Sequence, residues 1–135
     1  MKIVIANRFH QRLWGLLGRR SLATTEGMYF PRCSAVHTWF MRFPIMVVFC
    51  RDGQIVKLIP VLKPWRYAIC READSVFEFS LHLLEVCGFN PAAYIWNSTL
   101  CSSSTQYIDL IERVQVFIDD FYRGFPLKQR DFASR

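Results

Sequence analysis

No apolar stretch in this sequence is long enough to cross a bilayer. The longest uninterrupted one, Ile45 to Cys50, falls far short of the roughly 20 residues that a spanning helix needs. Met1-Lys2-Ile3-Val4-Ile5-Ala6 turns polar at Asn7-Arg8 with no small-residue cleavage site behind it, so a first strand is expected there rather than a secretory leader. The five cysteines, Cys33, Cys50, Cys70, Cys87 and Cys101, never form a C-x-x-C pair. Neither a disulfide framework nor a zinc knuckle is expected from them, and buried thiols in a reducing compartment fit better. The expected location is cytoplasmic. Internal repeats are absent, and so is a G-x-S-x-G nucleophile elbow. RNP, KH, helix-turn-helix and zinc-finger signatures are also missing, which leaves nucleic acid the less favoured partner.

Acids are scarce in the first half. Residues 1–71 carry twelve Lys or Arg against Glu26 and Asp52, a charge of +10, whereas the remainder is −4. Such a split points to an anionic partner for the first half, or to an acidic tail folding back onto it. With 52% hydrophobic and 16% aromatic residues in 135, the chain can bury a core and is not globally disordered.

The pattern along the first 95 residues is mostly that of strands, with two short helices. Asp52-Gly53 between Ile45–Cys50 and Gln54–Ile59 predicts an antiparallel hairpin, because an Asp-Gly turn needs positive φ and glycine accepts it. Val36–Met41 reads as a strand stopped by Pro44, which would put Trp39 and Phe40 on opposite faces and one of them in the core. Arg66–Cys70 and Ser75–Phe79 read as two more strands. Pro60 and Pro64 bracket an edge or an irregular connection. Ser80–Cys87 fits a short helix ended by Gly88. A Ser/Thr-rich linker at 98–105 divides a β domain, 1–97, from a helical extension, 106–135. In that extension Tyr107, Ile111, Val114, Ile118, Phe121 and Phe125 form one apolar stripe, expected to pack on the chain's own sheet. Ser103 and Gln106 resemble a capping box ahead of it.

Three stretches together are distinctive: Leu13-Trp14-Gly15-Leu16-Leu17-Gly18-Arg19, then Glu26-Gly27-Met28-Tyr29-Phe30, then Val36-His37-Thr38-Trp39-Phe40-Met41-Arg42-Phe43-Pro44-Ile45 followed by Asp52-Gly53. Over residues 12–95 the chain resembles the prokaryotic domain of unknown function 192 family. The resemblance implies a mainly β fold, an antiparallel β-sandwich or jelly-roll-like domain with short rim helices, to which this chain adds the C-terminal amphipathic helix. It implies no reaction, and a setting near pilus-assembly or secretion machinery. The sequence departs from the family pattern at Met46, Ala92 and Ala93, where aspartate, glycine and aspartate are usual, while Glu78 is retained in Phe77-Glu78-Phe79.

The chemistry on offer is modest. Cys33, His37 and Met41 share strand parity, but positions four apart on a strand lie ~13 Å apart, too far to hold one ion, so neither metal nor cofactor is expected. Glu78 lacks an obvious carboxylate partner for acid–base work. The expectation is therefore a small non-catalytic binding or accessory protein, its partner an unidentified protein or a small anionic ligand. The candidate surface comprises His37, Trp39, Met41 and Arg42, joined by Arg19, Arg66 and Glu78, with Glu78 also a possible ion-pair partner for Arg42 or Arg66. The alternatives are a small hydrolase-like enzyme, in which His37 is the base and Glu78 orients it, and an anion- or nucleic-acid-binding module.

Overall fold

A computed structural model describes residues 2–5, 26–91 and 105–124. Seven strands run in chain order: β1 (Lys2–Ile5), β2 (Glu26–Pro31), β3 (Ala35–His37), β4 (Ile45–Arg51), β5 (Gln54–Leu62), β6 (Tyr67–Ile69) and β7 (Ser75–Phe79). They are followed by α1 (His82–Val86) and α2 (Thr105–Arg123). Five strands make the main sheet, ordered β1-β2-β7-β4-β5, and β3 pairs with β6 in a small second sheet. Every pairing is antiparallel except β1 with β2. The fold is mainly β, as the residue pattern predicts.

Strand β4 shows why the sheet is central. Its Ile-Met-Val-Val-Phe-Cys run is buried at every position, the signature of a strand covered on both faces. Ile45, Val47 and Phe49 join Met28, Phe30 and Val76 on one face, where Val36, Met41, Ala68 and Cys70 close over them. Met46, Val48 and Cys50 join Tyr29, Phe77 and Phe79 on the other face, which is covered by Leu83 and Leu84 of α1 and by α2. The sandwich is thus between unequal sheets, and its outer side is a helix.

The hairpin forms at the predicted place. Arg51 pairs with Gln54, and Asp52 and Gly53 take φ of 51° and 80°, the doubly left-handed geometry of a tight hairpin turn. Pro60 lies in β5, which is an edge strand, where its missing N–H breaks no ladder. Helix α1 ends at Gly88 with φ 86°.

Helix α2 docks on its own sheet through Leu110, Val114 and Ile118, all fully buried, with Tyr107, Ile111, Phe117 and Phe121 packed around them. The fully buried stripe is therefore Leu110, Val114 and Ile118, and Leu110 is a position that the spacing from Tyr107 to Ile111 passes over. The helix also satisfies the open edge of β5. The Tyr107 hydroxyl accepts from Leu58 N at 3.1 Å and donates to Leu58 O at 3.0 Å, while Gln115 accepts from Ile55 N at 3.0 Å and donates to Gly53 O at 2.8 Å. Two of its four acids form ion pairs within the helix, Asp109 with Arg113 and Asp120 with Arg123. Besides apolar packing and these edge hydrogen bonds, one cation docks α2: the Arg113 guanidinium donates to Cys87 O at 2.6 Å and lies over the Phe89 ring. Ser103, Phe125, Ala92, Ala93 and most of the 98–105 linker lie outside the described residues.

Candidate functional site

The expected strand Val36–Met41 is cut short after His37, and Thr38 is the reason. Thr38 is fully buried. Its N–H donates to Arg66 O at 2.8 Å, and its carbonyl accepts from Met41 N at 3.2 Å and Trp65 N at 2.9 Å. Its hydroxyl donates to Lys63 O at 2.6 Å and accepts from Arg66 N at 2.9 Å. One small polar side chain thereby ties two turns together, 38–41 and 63–66, and each turn carries a bulky aromatic in the left-handed region: Phe40 at φ 65° and Trp65 at φ 63°. Such residues pay a steric cost there that surrounding contacts must hold in place.

The two turns present their aromatics outward. Trp39 is 48% exposed, Phe40 67% and Trp65 56%, and on β6 Tyr67 is 68% and Ile69 48% exposed. This corrects the expectation that either Trp39 or Phe40 is core, because both sit in a turn rather than on opposite faces of a strand. His37 stacks on Trp39 at 4.9 Å between ring centres, and Phe40 packs on Trp65 at 4.8 Å. Ala35, Val36, His37, Trp39, Tyr67 and Ile69 line an open groove of about 340 Å³, to which the Phe40–Trp65 pair does not contribute. Contiguous apolar exposure of this kind marks interaction surfaces on soluble proteins.

Basic side chains border the face. The Lys57 ammonium donates to Ile69 O at 3.2 Å on the β6 edge. Arg66, between Trp65 and Tyr67, donates to Trp65 O at 3.2 Å. Lys63 and Arg42 are exposed on the two turns. None of these four forms a salt bridge with a described residue.

The sequence-derived candidates therefore divide. His37, Trp39, Arg42 and Arg66 lie on or beside the aromatic face. Met41, 4% exposed, is a core plug, and Glu78, 5% exposed, is interior. Arg19 lies outside the described residues. Phe40, Trp65, Tyr67 and Ile69 are exposed here although the candidate surface read from the sequence did not include them. The Tyr-Ala-Ile alternation of β6 was the available signal, since its two outer residues must share a side.

Glu78 sits on β7 opposite Met28 of β2 and Val47 of β4. Among the described residues no hydrogen bond or ion pair reaches it; in particular neither Arg42 nor Arg66 does, contrary to that expectation. Burial alone pushes its carboxyl up to about 8. His37 points outward from the small sheet while Glu78 lies beneath it on the main sheet, so the two do not share the groove. Burial also pushes the thiols of Cys50, Cys70 and Cys87 up, which makes them poor nucleophiles. Cys33 donates to Ala35 O at 3.0 Å. Among the described residues no three His, Cys, Asp or Glu side chains are grouped to hold a metal ion, and no helix is long and apolar enough to cross a membrane.

Comparison with solved structures places this fold beside two others. A proposed transcription regulator from Sinorhizobium meliloti 1021 is 25% identical, with a TM-score of 0.57 over 66% of this chain and 75% of its own. A protein of unknown function from Novosphingobium aromaticivorans DSM 12444 is 19% identical, with a TM-score of 0.55 over 65% of this chain and 69% of its own. Comparison with curated proteins gives no match. The family model DUF192, described as "Uncharacterized ACR", matches residues 1–95, taking in the Thr38 hub, the β4–β5 hairpin and Glu78, and the chain belongs to that family.

Proposed function

We propose that this chain is a small non-catalytic binding module whose working surface is the outer face of β3 and β6 with the two turns tied by Thr38. The observation that carries the reading is five large apolar side chains held outward, two of them by left-handed backbone, beside cations that have no carboxylate partner among the described residues. Strained backbone that keeps an aromatic in water has no benefit to packing, and such strain gathers at ligand-binding sites. Aromatics supply flat apolar contact, and arginine supplies a fork for carboxylate or phosphate. The ligand class that meets both is an anion bearing a planar ring. The description of one structural relative as a proposed transcription regulator supports seeking that anion among nucleotides. Nothing on the face selects pilus-assembly or secretion machinery as the setting. The hydrolase-like alternative is not favoured, because His37 and Glu78 lie on different sides of the small sheet.

Titrating the protein with uridine monophosphate while following the indole N–H resonances tests this. Shifts at Trp39 and Trp65, reduced by Arg66→Gln, are expected. Shifts confined to other tryptophans, or equal shifts from inorganic phosphate alone, would place the ligand elsewhere.

A further inference from the structure

Resting on that reading of the face, we infer that its ligand is a single strand of nucleic acid laid across β3 and β6. The aromatics are arranged as two separate pairs, His37 with Trp39 and Phe40 with Trp65, with Tyr67 exposed on β6. One planar ligand would need one pair. A strand offers successive bases to both, and every base has a face that stacks. Cations follow the same course: Lys57 at the β6 edge, Lys63 and Arg66 on the turn that carries Trp65, and Arg42 after the turn that carries Phe40. Flat rings beside positive charge with no carboxylate partner among the described residues is the pattern that tracks a sugar–phosphate backbone with its bases turned inward.

The same geometry disfavours other occupants. Reading a duplex takes a helix or a β-ribbon entering a groove, and the strands here are three residues long with aromatic side chains standing on a shallow surface. A second copy would set one basic face against another. Three of the four acids on α2 are engaged within that helix, Asp109 with Arg113, Asp119 with Gln115 and Asp120 with Arg123, which leaves Glu112 alone to complement such a face. An acidic peptide would satisfy the cations but leave the paired rings without flat partners.

Fluorescence anisotropy of labelled dT12 and rU12 decides the matter, with a 12-base-pair duplex, inorganic polyphosphate and polyglutamate as competitors and uridine monophosphate as the short probe. Single strands should bind more tightly than the monophosphate and outcompete duplex, polyphosphate and polyglutamate. Trp39→Ala and Trp65→Ala should each weaken binding by roughly tenfold, and both variants should melt like the parent because these side chains are exposed. The slope of log affinity against log salt should fall by about 0.7 for each of Lys63→Gln and Arg66→Gln. Polyphosphate competing equally, with the tryptophan variants unchanged, would reduce the face to a charge patch and overturn the inference. Indole shifts from the monophosphate with no gain from dT12 would overturn it while the binding-module reading stands. Silence of Trp39 and Trp65 toward every probe would remove both. Self-association in light scattering that Trp65→Ala abolishes would assign the face to a second copy instead.

Discussion

Replacing Glu78 with glutamine should flatten the dependence of stability on pH. In the folded chain the Glu78 carboxyl is pushed up to about 8 by burial, from an ordinary value of 4.5. Across pH 5 to 8 the folded state therefore holds one proton that the unfolded state has lost. The sign follows directly: where the native state binds more protons, stability falls as pH rises. The stabilisation is fully present below about 4.5, is lost progressively above it, and is gone once pH passes about 8. Each pH unit inside that window is worth 1.36 kcal/mol, so the native protein should lose about 4 kcal/mol between pH 5 and 8. That is a large share of the 5–15 kcal/mol that folds an ordinary domain. The shifted thiols and phenols, Cys50, Cys70, Cys87, Tyr29 and Tyr122, all move upward from 9.0 or 10.0 and titrate above the window. Urea unfolding at pH 5, 6, 7 and 8 measures the slope. Glu78→Gln, neutral at every pH, should match the parent near pH 5 and exceed it at pH 8. A parent profile that is flat or rises with pH, with Glu78→Gln destabilised throughout, would refute the reasoning by showing the carboxylate held ionised by a cation.

Thr38→Val should cost about 2–3 kcal/mol in urea unfolding, since it strips Lys63 O and Arg66 N of a buried partner. Circular dichroism should show the strands retained. Leu110→Ala should cost about 2–5 kcal/mol, whereas Val116→Ala, on the exposed side of the same helix, should stay within about 0.5 kcal/mol; equal effects would mean that α2 does not dock as described. A methyl group at Gly27 would come within 2.8 Å of the Phe79 ring, so Gly27→Ala should destabilise by about 1–3 kcal/mol, with the disturbance visible in the Phe79 ring resonances.

Where local chemistry decides the geometry, the structure could be read from the residues. Asp52-Gly53 makes its turn from local chemistry, and the apolar run of β4 carries its burial on its face, whereas β7 buries Ser75 and Glu78 along with its apolar residues. Residues 38–41 defeat such reading because the deciding partner is distant: Thr38 bonds to Lys63 and Arg66, some 25 positions on, and no strand periodicity registers that. The aromatic face fails to show for the same reason. His37 and Trp39 stand out in the sequence, but Phe40, Trp65 and Tyr67 join them only once β3 pairs with β6. Glu78 is plainly a candidate from its neighbours, yet only the register against Met28 and Val47 turns it inward.

The match to the family ends at residue 95, and α2 begins at Thr105. Three fully buried core residues, Leu110, Val114 and Ile118, thus come from beyond the shared part of the chain. The helix is in effect a tethered ligand for the sheet, held near the face it covers at an effective concentration on the order of millimolar. A tether of that kind does not distinguish its own sheet from a neighbour's once protein concentration approaches the same range. The contacts that close one molecule can then join two, by exchange of helices between copies.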